Sequence, residues 1–450
     1  MTRQGLELTE MGGAAAAAAI REGLITSEEL VAACLARIDA LEPRIQAWAF
    51  IDSDLALAQA RAADQRRREG EPIGPLHGVP VGIKDIFDTA DMPTENGTVL
   101  HAGRQPEADA AAVAQLRAAG AVILGKTVTT ELAVYAPGKT RNPLDPDRTP
   151  GGSSSGSAAA VAAGMVPLAI GSQTNGSVIR PAAYCGVWGY KPTHGLISRR
   201  GVLHQSYLLD HVGVFGRSAE DVALLAEAMM GYDPDDRDMR PRARPALSRT
   251  TAEEPPVPPR IAFVKTPVWD QLDASAAAAI TRFARSLGEH VHDVDLPPVF
   301  DRAVDAHRVI HESDLAVSFA PEYERGREKL SARLREMIEN GQRHSAVDYI
   351  RATECAMTLS KALAEIFVHY DAILTPATTG EAPIGLQSTG SPTFCTIWTL
   401  LGVPTVTAPL LRGPAGMPLG VQLVGARGDD ARLLRLARWL AHKAGPAAAH

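Results

Sequence analysis

Between Gly151 and Ser177 two glycine–serine segments bracket a stretch of small residues, and few folds can house that arrangement. The first segment is Gly151-Gly152-Ser153-Ser154-Ser155-Gly156-Ser157. The second is Gly171-Ser172-Gln173-Thr174-Asn175-Gly176-Ser177, running on into Val178-Ile179-Arg180-Pro181. Glycine lets the backbone adopt tight conformations in which several N–H groups point at one spot. The alanine-rich residues 157–164 predict a helix slim enough to lie close against a sheet, and 166–170 predict a buried strand. Two serine-bearing turns joined in this way can bring two hydroxyls together. Upstream, Gly78-Val79-Pro80-Val81-Gly82-Ile83 reads as a short strand leading to Lys84, a candidate base. The combination points to acyl transfer by an activated serine.

The remaining pattern alternates helix and strand. Residues 10–40 predict helix broken near Gly23, with Ser27 as N-cap ahead of Leu30, Val31, Leu35 and Ile38. Residues 56–69 and 110–120 predict further helices, the latter followed by a strand at 121–124. Prolines and Asn/Asp make 141–150 a loop. Strands are expected again at 260–264, 371–376, 403–409 and 420–424, and amphipathic helix over most of 315–367. Such alternation implies an α/β sandwich.

Composition narrows the function classes. The 450 residues carry a net charge of −7, which argues against a nucleic-acid or anionic-membrane surface. No stretch of about 18 strongly apolar residues is present, so no transmembrane helix is expected. The short alanine run at 14–19, closed by Arg21-Glu22, does not resemble a secretory signal, and a cytoplasmic location is expected. For the same reason the sequons at Asn96 and Asn175 are discounted. Cys34, Cys185, Cys355 and Cys395 lie too far apart to suggest zinc or a disulfide framework. The acidic run Asp233, Asp235, Asp236, Asp238 lacks the glycine and terminal glutamate of a calcium loop, and His311-Glu312 does not extend to HExxH. Trp269, Phe394 and Trp398 are read as core.

A serine hydroxyl needs a base. His77, His101, His194, His204 and His211 leave a Ser-His-Asp triad open on pattern alone. Gly152-Ser153-Ser154-Ser155-Gly156 fits G-x-S-x-G, but that motif follows a strand, whereas a proline-rich loop precedes it here.

These residues also carry a family resemblance. Gly74-Pro75-Leu76-His77 through Lys84-Asp85, Thr140-Arg141-Asn142-Pro143 with the first serine segment, and Gly171 through Pro181 with Cys185-Gly186 and Lys191-Pro192-Thr193 resemble the amidase signature family. So do Leu374-Thr375-Pro376, Gly402-Val403-Pro404 and Gly420-Val421-Gln422-Leu423-Val424-Gly425. The likeness runs nearly end to end and is weakest over 240–361. It implies an α/β fold with a mixed central β-sheet covered by helices on both faces, in a single domain over 1–450. Within it lie a catalytic core at 70–230, a Pro-rich surface linker at 240–260 and a variable, mostly helical specificity portion at 260–365. C-terminal strands and a helix at 366–445 complete the sheet.

The resemblance implies a Ser-cisSer-Lys triad: Ser177 as nucleophile, Ser153 as bridging serine after a cis peptide bond, and Lys84 as base. Ser154 and Ser155 are alternatives for the bridging role. Lysine titrates near 10.4 in water, so it serves as a base only if burial, here beside Ile83 and Ile86, disfavours its charged form. Backbone N–H groups of Thr174, Asn175, Gly176 and Ser177 would form the oxyanion hole. The commonest family form has glycine where this chain has Asn175, a residue that tolerates unusual backbone angles. Ser177-Val178-Ile179-Arg180-Pro181 resembles a malonamidase-like branch in which an arginine binds a substrate carboxylate. A buried salt bridge from Arg180 to a core aspartate is the competing reading.

The implied activity is a serine amidohydrolase that cleaves the acyl C–N bond of small or aryl amides or carbamates (urethanes) through an acyl-enzyme on Ser177. It needs no metal or organic cofactor. The alternative is the amidase subunit of a glutamine-dependent amidotransferase, which delivers ammonia to a partner; a noncatalytic binding protein is a third class. The expected partner is the small-molecule substrate, and a homodimer stays open.

Overall fold

Small and β-branched residues concentrate in the strands at the centre of one large sheet, because those strands are covered on both faces. A computed structural model describes residues 8–445. The strands are β1 (Trp48–Ile51), β2 (Pro80–Lys84), β3 (Val122–Thr127), β4 (Leu168–Gln173), β5 (Trp188–Lys191), β6 (His211–Gly216), β7 (Ile261–Val264), β8 (Val291–Val294), β9 (Ala372–Pro376), β10 (Thr405–Arg412) and β11 (Pro418–Val424). They pair in the order β1-β3-β2-β4-β6-β5-β10-β11-β9-β7-β8. β2 runs parallel to β3 and β4, and β7 parallel to β8 and β9; the other pairings are antiparallel, so the sheet is mixed.

Helices cover both faces, and β7 shows how the pleat divides them. Ile261 and Phe263 join one hydrophobic cluster, whereas Ala262 and Val264 join a second with the helices Ala303–Ser318 and Ala346–Phe367. Successive residues point to opposite faces of a strand, so each face of β7 needs its own cover. Every residue of β2, β3 and β4 is buried. Because β2 and β4 are parallel neighbours, with Ile83 opposite Ile170, their carboxyl ends emerge side by side. Open α/β sheets place ligands beyond such ends.

The helix after the first serine segment, Ser155–Ala162, is slim for a reason. A Cβ at Gly156 would sit 2.2 Å from the Ala47 carbonyl oxygen and 2.4 Å from Val128 N. In an exposed helix Gly→Ala gains about 1 kcal/mol. Here both obstacles are backbone, so Gly156→Ala is expected to reverse that sign and cost about 3 kcal/mol, read as a lowered denaturant midpoint.

Two local readings change. The cap of the helix Ser27–Ile45 is Thr26, not Ser27: Thr26 accepts from Glu29 N, and Glu29 reaches back to Thr26 N in a capping box. Ser27 instead donates its hydroxyl to the Gly78 carbonyl at 2.7 Å, tying this helix to the approach to β2. Within 240–260 the helix Leu247–Ala252 buries Leu247 and Thr251 against the sheet-covering helices. No helix among the described residues is long and apolar enough to cross a membrane.

Candidate active site

Lys84 closes β2 with its side chain fully buried. Its Nζ lies 2.7 Å from Ser153 Oγ and 2.8 Å from Ser172 Oγ. Among the described residues no carboxylate lies within ion-pair reach of this amine. Burial therefore drives its pKa well below that of a free lysine, and the more distant Asp210 opposes this only in part. An amine so shifted gives up its proton more readily than a free lysine does.

Of the three consecutive serines, Ser153 is the one on Lys84, and the Gly152–Ser153 peptide is cis. Ser154 Oγ instead meets the Ser172 backbone, donating to its carbonyl and accepting from its N–H, both at 3.3 Å. Ser155 Oγ donates to the Val128 carbonyl.

Ser177 lies in the turn between β4 and the helix Ile179–Cys185, 8% exposed. Its hydroxyl has no hydrogen-bond partner among the described residues, and it is not in hydrogen-bond contact with Ser153. The two segments nevertheless abut: a Cβ at Gly151 would lie 2.8 Å from Pro181 Cα, and Arg180 Nη2 donates to the Gly152 carbonyl at 2.7 Å. None of the five histidines nearby in sequence bonds to Ser153 or Ser177. His77 meets the Ala63 carbonyl, His101 meets Asn96 and Glu322, His194 meets the Tyr207 carbonyl, His204 meets Asp210, and His211 meets the Leu209 carbonyl.

The turn before Ser177 is clamped from several sides. Gln173 Oε1 accepts from Val178 N and Ile179 N, so its side chain spans the turn, and its Nε2 donates to Thr399 Oγ1. Thr174 Oγ1 donates to Asp210, and the Thr174 carbonyl meets His307 Nε2 at 2.9 Å. Asn175 Nδ2 donates to the Tyr135 hydroxyl, while its Oδ1 and carbonyl accept from Thr396 and Thr399. The Asn175 side chain is thereby held at both ends. The backbone N–H groups of Thr174, Asn175, Gly176 and Ser177 have no protein acceptor among the described residues. Four unspent donors on one clamped turn can receive a developing oxyanion.

Arg180 is 1% exposed, and among the described residues it has no acidic partner, so the core-aspartate reading fails. Its Nη2 is spent on Gly152 and on Thr389 Oγ1; Nε and Nη1 are buried without a partner. Beside Asn175 opens a cavity of about 210 Å³, walled by Tyr135, His307, His311, Pro392 and Thr396. A larger hollow of about 290 Å³ at Leu144, Arg217 and Arg412 touches none of these groups. No cluster of three or more His, Cys, Asp or Glu placed to hold a metal ion occurs among the described residues.

Sequence reasoning did not single out Ser172, His307, Tyr135, Thr396 or Thr399. Ser172 lies within the second Gly/Ser segment, at the end of β4 beside the end of β2.

Comparison with known proteins agrees with this architecture. The amidase family model matches residues 29–434, and the chain belongs to that family. It is a hydrolase of C–N bonds. One component of the glutamyl-tRNA(Gln) amidotransferase of Chloroflexus aurantiacus is 35% identical, with 96% of each chain covered. A solved chain, from an unexpected vestigial protein complex described as revealing the evolutionary origins of an s-triazine catabolic enzyme, superposes with a TM-score of 0.90. It is 31% identical, with 97% of this chain and 99% of that chain covered. The native peptide amidase of Stenotrophomonas maltophilia gives 0.83 at 30% identity, with 97% of both covered.

Proposed function

We propose that the chain hydrolyses the acyl C–N bond of small or aryl amides or carbamates through an acyl-enzyme on Ser177. The observation that carries this reading is the buried amine of Lys84 in contact with Ser153 and unpaired with any acid. A neutral amine donates one N–H to Ser172 and accepts the Ser153 proton; Ser153 in turn takes the proton of Ser177 as its oxygen attacks the carbonyl. The unspent N–H groups of Thr174, Asn175, Gly176 and Ser177 hold the oxyanion. The relay then returns the proton to the leaving nitrogen, and water attacks the acyl-enzyme by the same route to free the acid and regenerate Ser177. A carbamate differs only by an alkoxy group on the carbonyl, so the same steps serve it.

The test is amine or ammonia release by the purified chain alone from malonamate, an acyl anilide, a fatty amide and an aryl carbamate. Turnover of one or more without any partner is expected. The likeness to an amidotransferase component favours a second reading, glutamine hydrolysis that delivers ammonia to a partner. That reading predicts no activity on the panel and glutamine hydrolysis only in a complex.

The unpartnered Nε and Nη1 of Arg180 support a role as anchor for a substrate carboxylate. Arg180→Ala is expected to raise KM for malonamate about tenfold or more while sparing a neutral anilide. Equal losses on both would assign Arg180 to holding the Gly152 carbonyl alone.

A further inference from the structure

Two of the buried imidazoles that the hydrolytic steps leave unused stand together beside the turn that carries Ser177. The helix Ala303–Ser318 presents His307 and His311, one turn apart, in the wall of the cavity beside Asn175, their rings edge-on at 5.5 Å. Each ring has one nitrogen committed. His307 Nε2 faces the Thr174 carbonyl, which only accepts, so Nε2 carries the hydrogen. His311 Nε2 lies 3.0 Å from Gln205 Oε1. The Gln205 amide is oriented by its own Nε2, which donates to the carbonyls of Leu132 and Ala133, so His311 Nε2 also carries the hydrogen. Burial pushes His307 down to about 4 and His311 to about 3, the latter also because His307 stands beside it. Both rings are neutral at pH 7 and Nδ1 of each keeps its lone pair. Neither Nδ1 has a hydrogen-bond partner among the described residues.

We infer that His307 and His311 are specificity-determining residues whose Nδ1 atoms accept hydrogen bonds from an N–H-bearing group of the substrate away from the scissile bond, such as a terminal carboxamide. The inference rests on the hydrolase reading for the identity of the scissile bond. Two adjacent neutral acceptors match the two N–H bonds of one carboxamide nitrogen. A carboxylate would set lone pair against lone pair. The charged side chains around the cavity do not alter this balance, because they pair among themselves: Arg308 with Asp305 and Glu312, Arg333 with Glu336, and Glu312 also with His344. A site built to bond an N–H rejects the analogue that lacks it, since acceptors that the ligand closes off from water are then left unpaired.

Succinamide and levulinamide test this directly. They share one carboxamide, but levulinamide replaces the second –CO–NH2 by a methyl ketone of similar shape without N–H. Calorimetric titration into the Ser177→Ala protein is expected to show succinamide binding about tenfold tighter or more. Adding His311→Phe should bring the ratio toward one. His311→Asn, whose Oδ1 stands near the place of Nδ1, should keep the preference. Mere structural damage weakens both ligands alike and leaves the ratio unchanged. Equal or undetectable binding of the two, or a preference that His311→Phe does not alter, overturns the inference. Wild-type turnover separates it from the underlying reading. Hydrolysis of both compounds with equal binding sinks the inference alone, whereas a binding preference with no hydrolysis of either, or of any compound of the four-member panel, sinks the hydrolase reading.

Discussion

Lys84→Met is expected to lower kcat by a factor on the order of 10⁴ or more, the scale lost when one member of a cooperating catalytic unit is removed. Methionine fills much of the same space but accepts no proton, so Ser153 keeps its hydrogen and Ser177 is not activated. Ser172 cannot substitute, because an alcohol is no base at neutral pH. The same substitution should leave a signature in stability. Burial depresses the folded-state pKa of Lys84 well below its ordinary value, while in the unfolded chain the amine titrates near 10.4. Between those two values the unfolded chain binds a proton that the folded chain does not, so this group makes stability rise with pH across that window. The contribution is most unfavourable below the folded-state pKa and vanishes above the unfolded one. Raising the pH toward 10.4 should therefore stabilise wild type relative to Lys84→Met, seen as converging or crossing denaturant midpoints. Undiminished turnover in the variant would remove Lys84 as the base, and a stability difference that ignores pH would mean that the amine is charged and compensated rather than neutral.

How far the sequence reaches depends on the range of each interaction. The Gly/Ser segments, β2 and β4 are local features, and a parallel β2/β4 pairing suffices to bring Lys84 beside Ser172 in the second segment. The helix Ser155–Ala162 is legible for the same reason, since small residues are themselves the packing signal. Partners that are backbone atoms leave no trace in residue types. Arg180 suggested a carboxylate or a core aspartate, yet its structural partner is the Gly152 carbonyl, a group every residue has. His307 meets Thr174 only because the helix Ala303–Ser318 is seated on the second hydrophobic cluster, and periodicity shows that such a helix is buried, not where. Glycines hide strands as well: Trp188-Gly189-Tyr190-Lys191 and His211-Val212-Gly213-Val214-Phe215-Gly216 form β5 and β6 despite them. At Gly213 an added Cβ would meet the Val178 side chain at 2.7 Å, so the missing side chain makes room for the turn that carries Ser177. The Thr26 cap was within reach, because Thr26 and Glu29 have the spacing of a capping box.

Ser177→Ala is expected to abolish turnover, by a factor on the order of 10⁵ or more, and to remove labelling by a fluorophosphonate. The change should cost little else. Ser177 Oγ bonds to no other described residue, so stability should stay within about 0.5 kcal/mol of wild type. Lys84 keeps both hydroxyl contacts, and the four N–H groups of the turn are untouched, so substrate should still bind. Ser153→Ala makes the informative contrast. It removes the group between amine and nucleophile but leaves the nucleophile itself, so labelling should be slowed rather than lost, and the label should still map to the peptide bearing residue 177. Mass spectrometry of protein quenched during turnover should place the acyl group on that peptide in wild type and on none in Ser177→Ala. An acyl group found instead on the peptide carrying 153–155 would reassign the nucleophile to the first serine segment. Residual turnover within tenfold of wild type in Ser177→Ala would remove the acyl-enzyme at 177 altogether, because no other hydroxyl shares its turn of unspent N–H donors with so few other commitments.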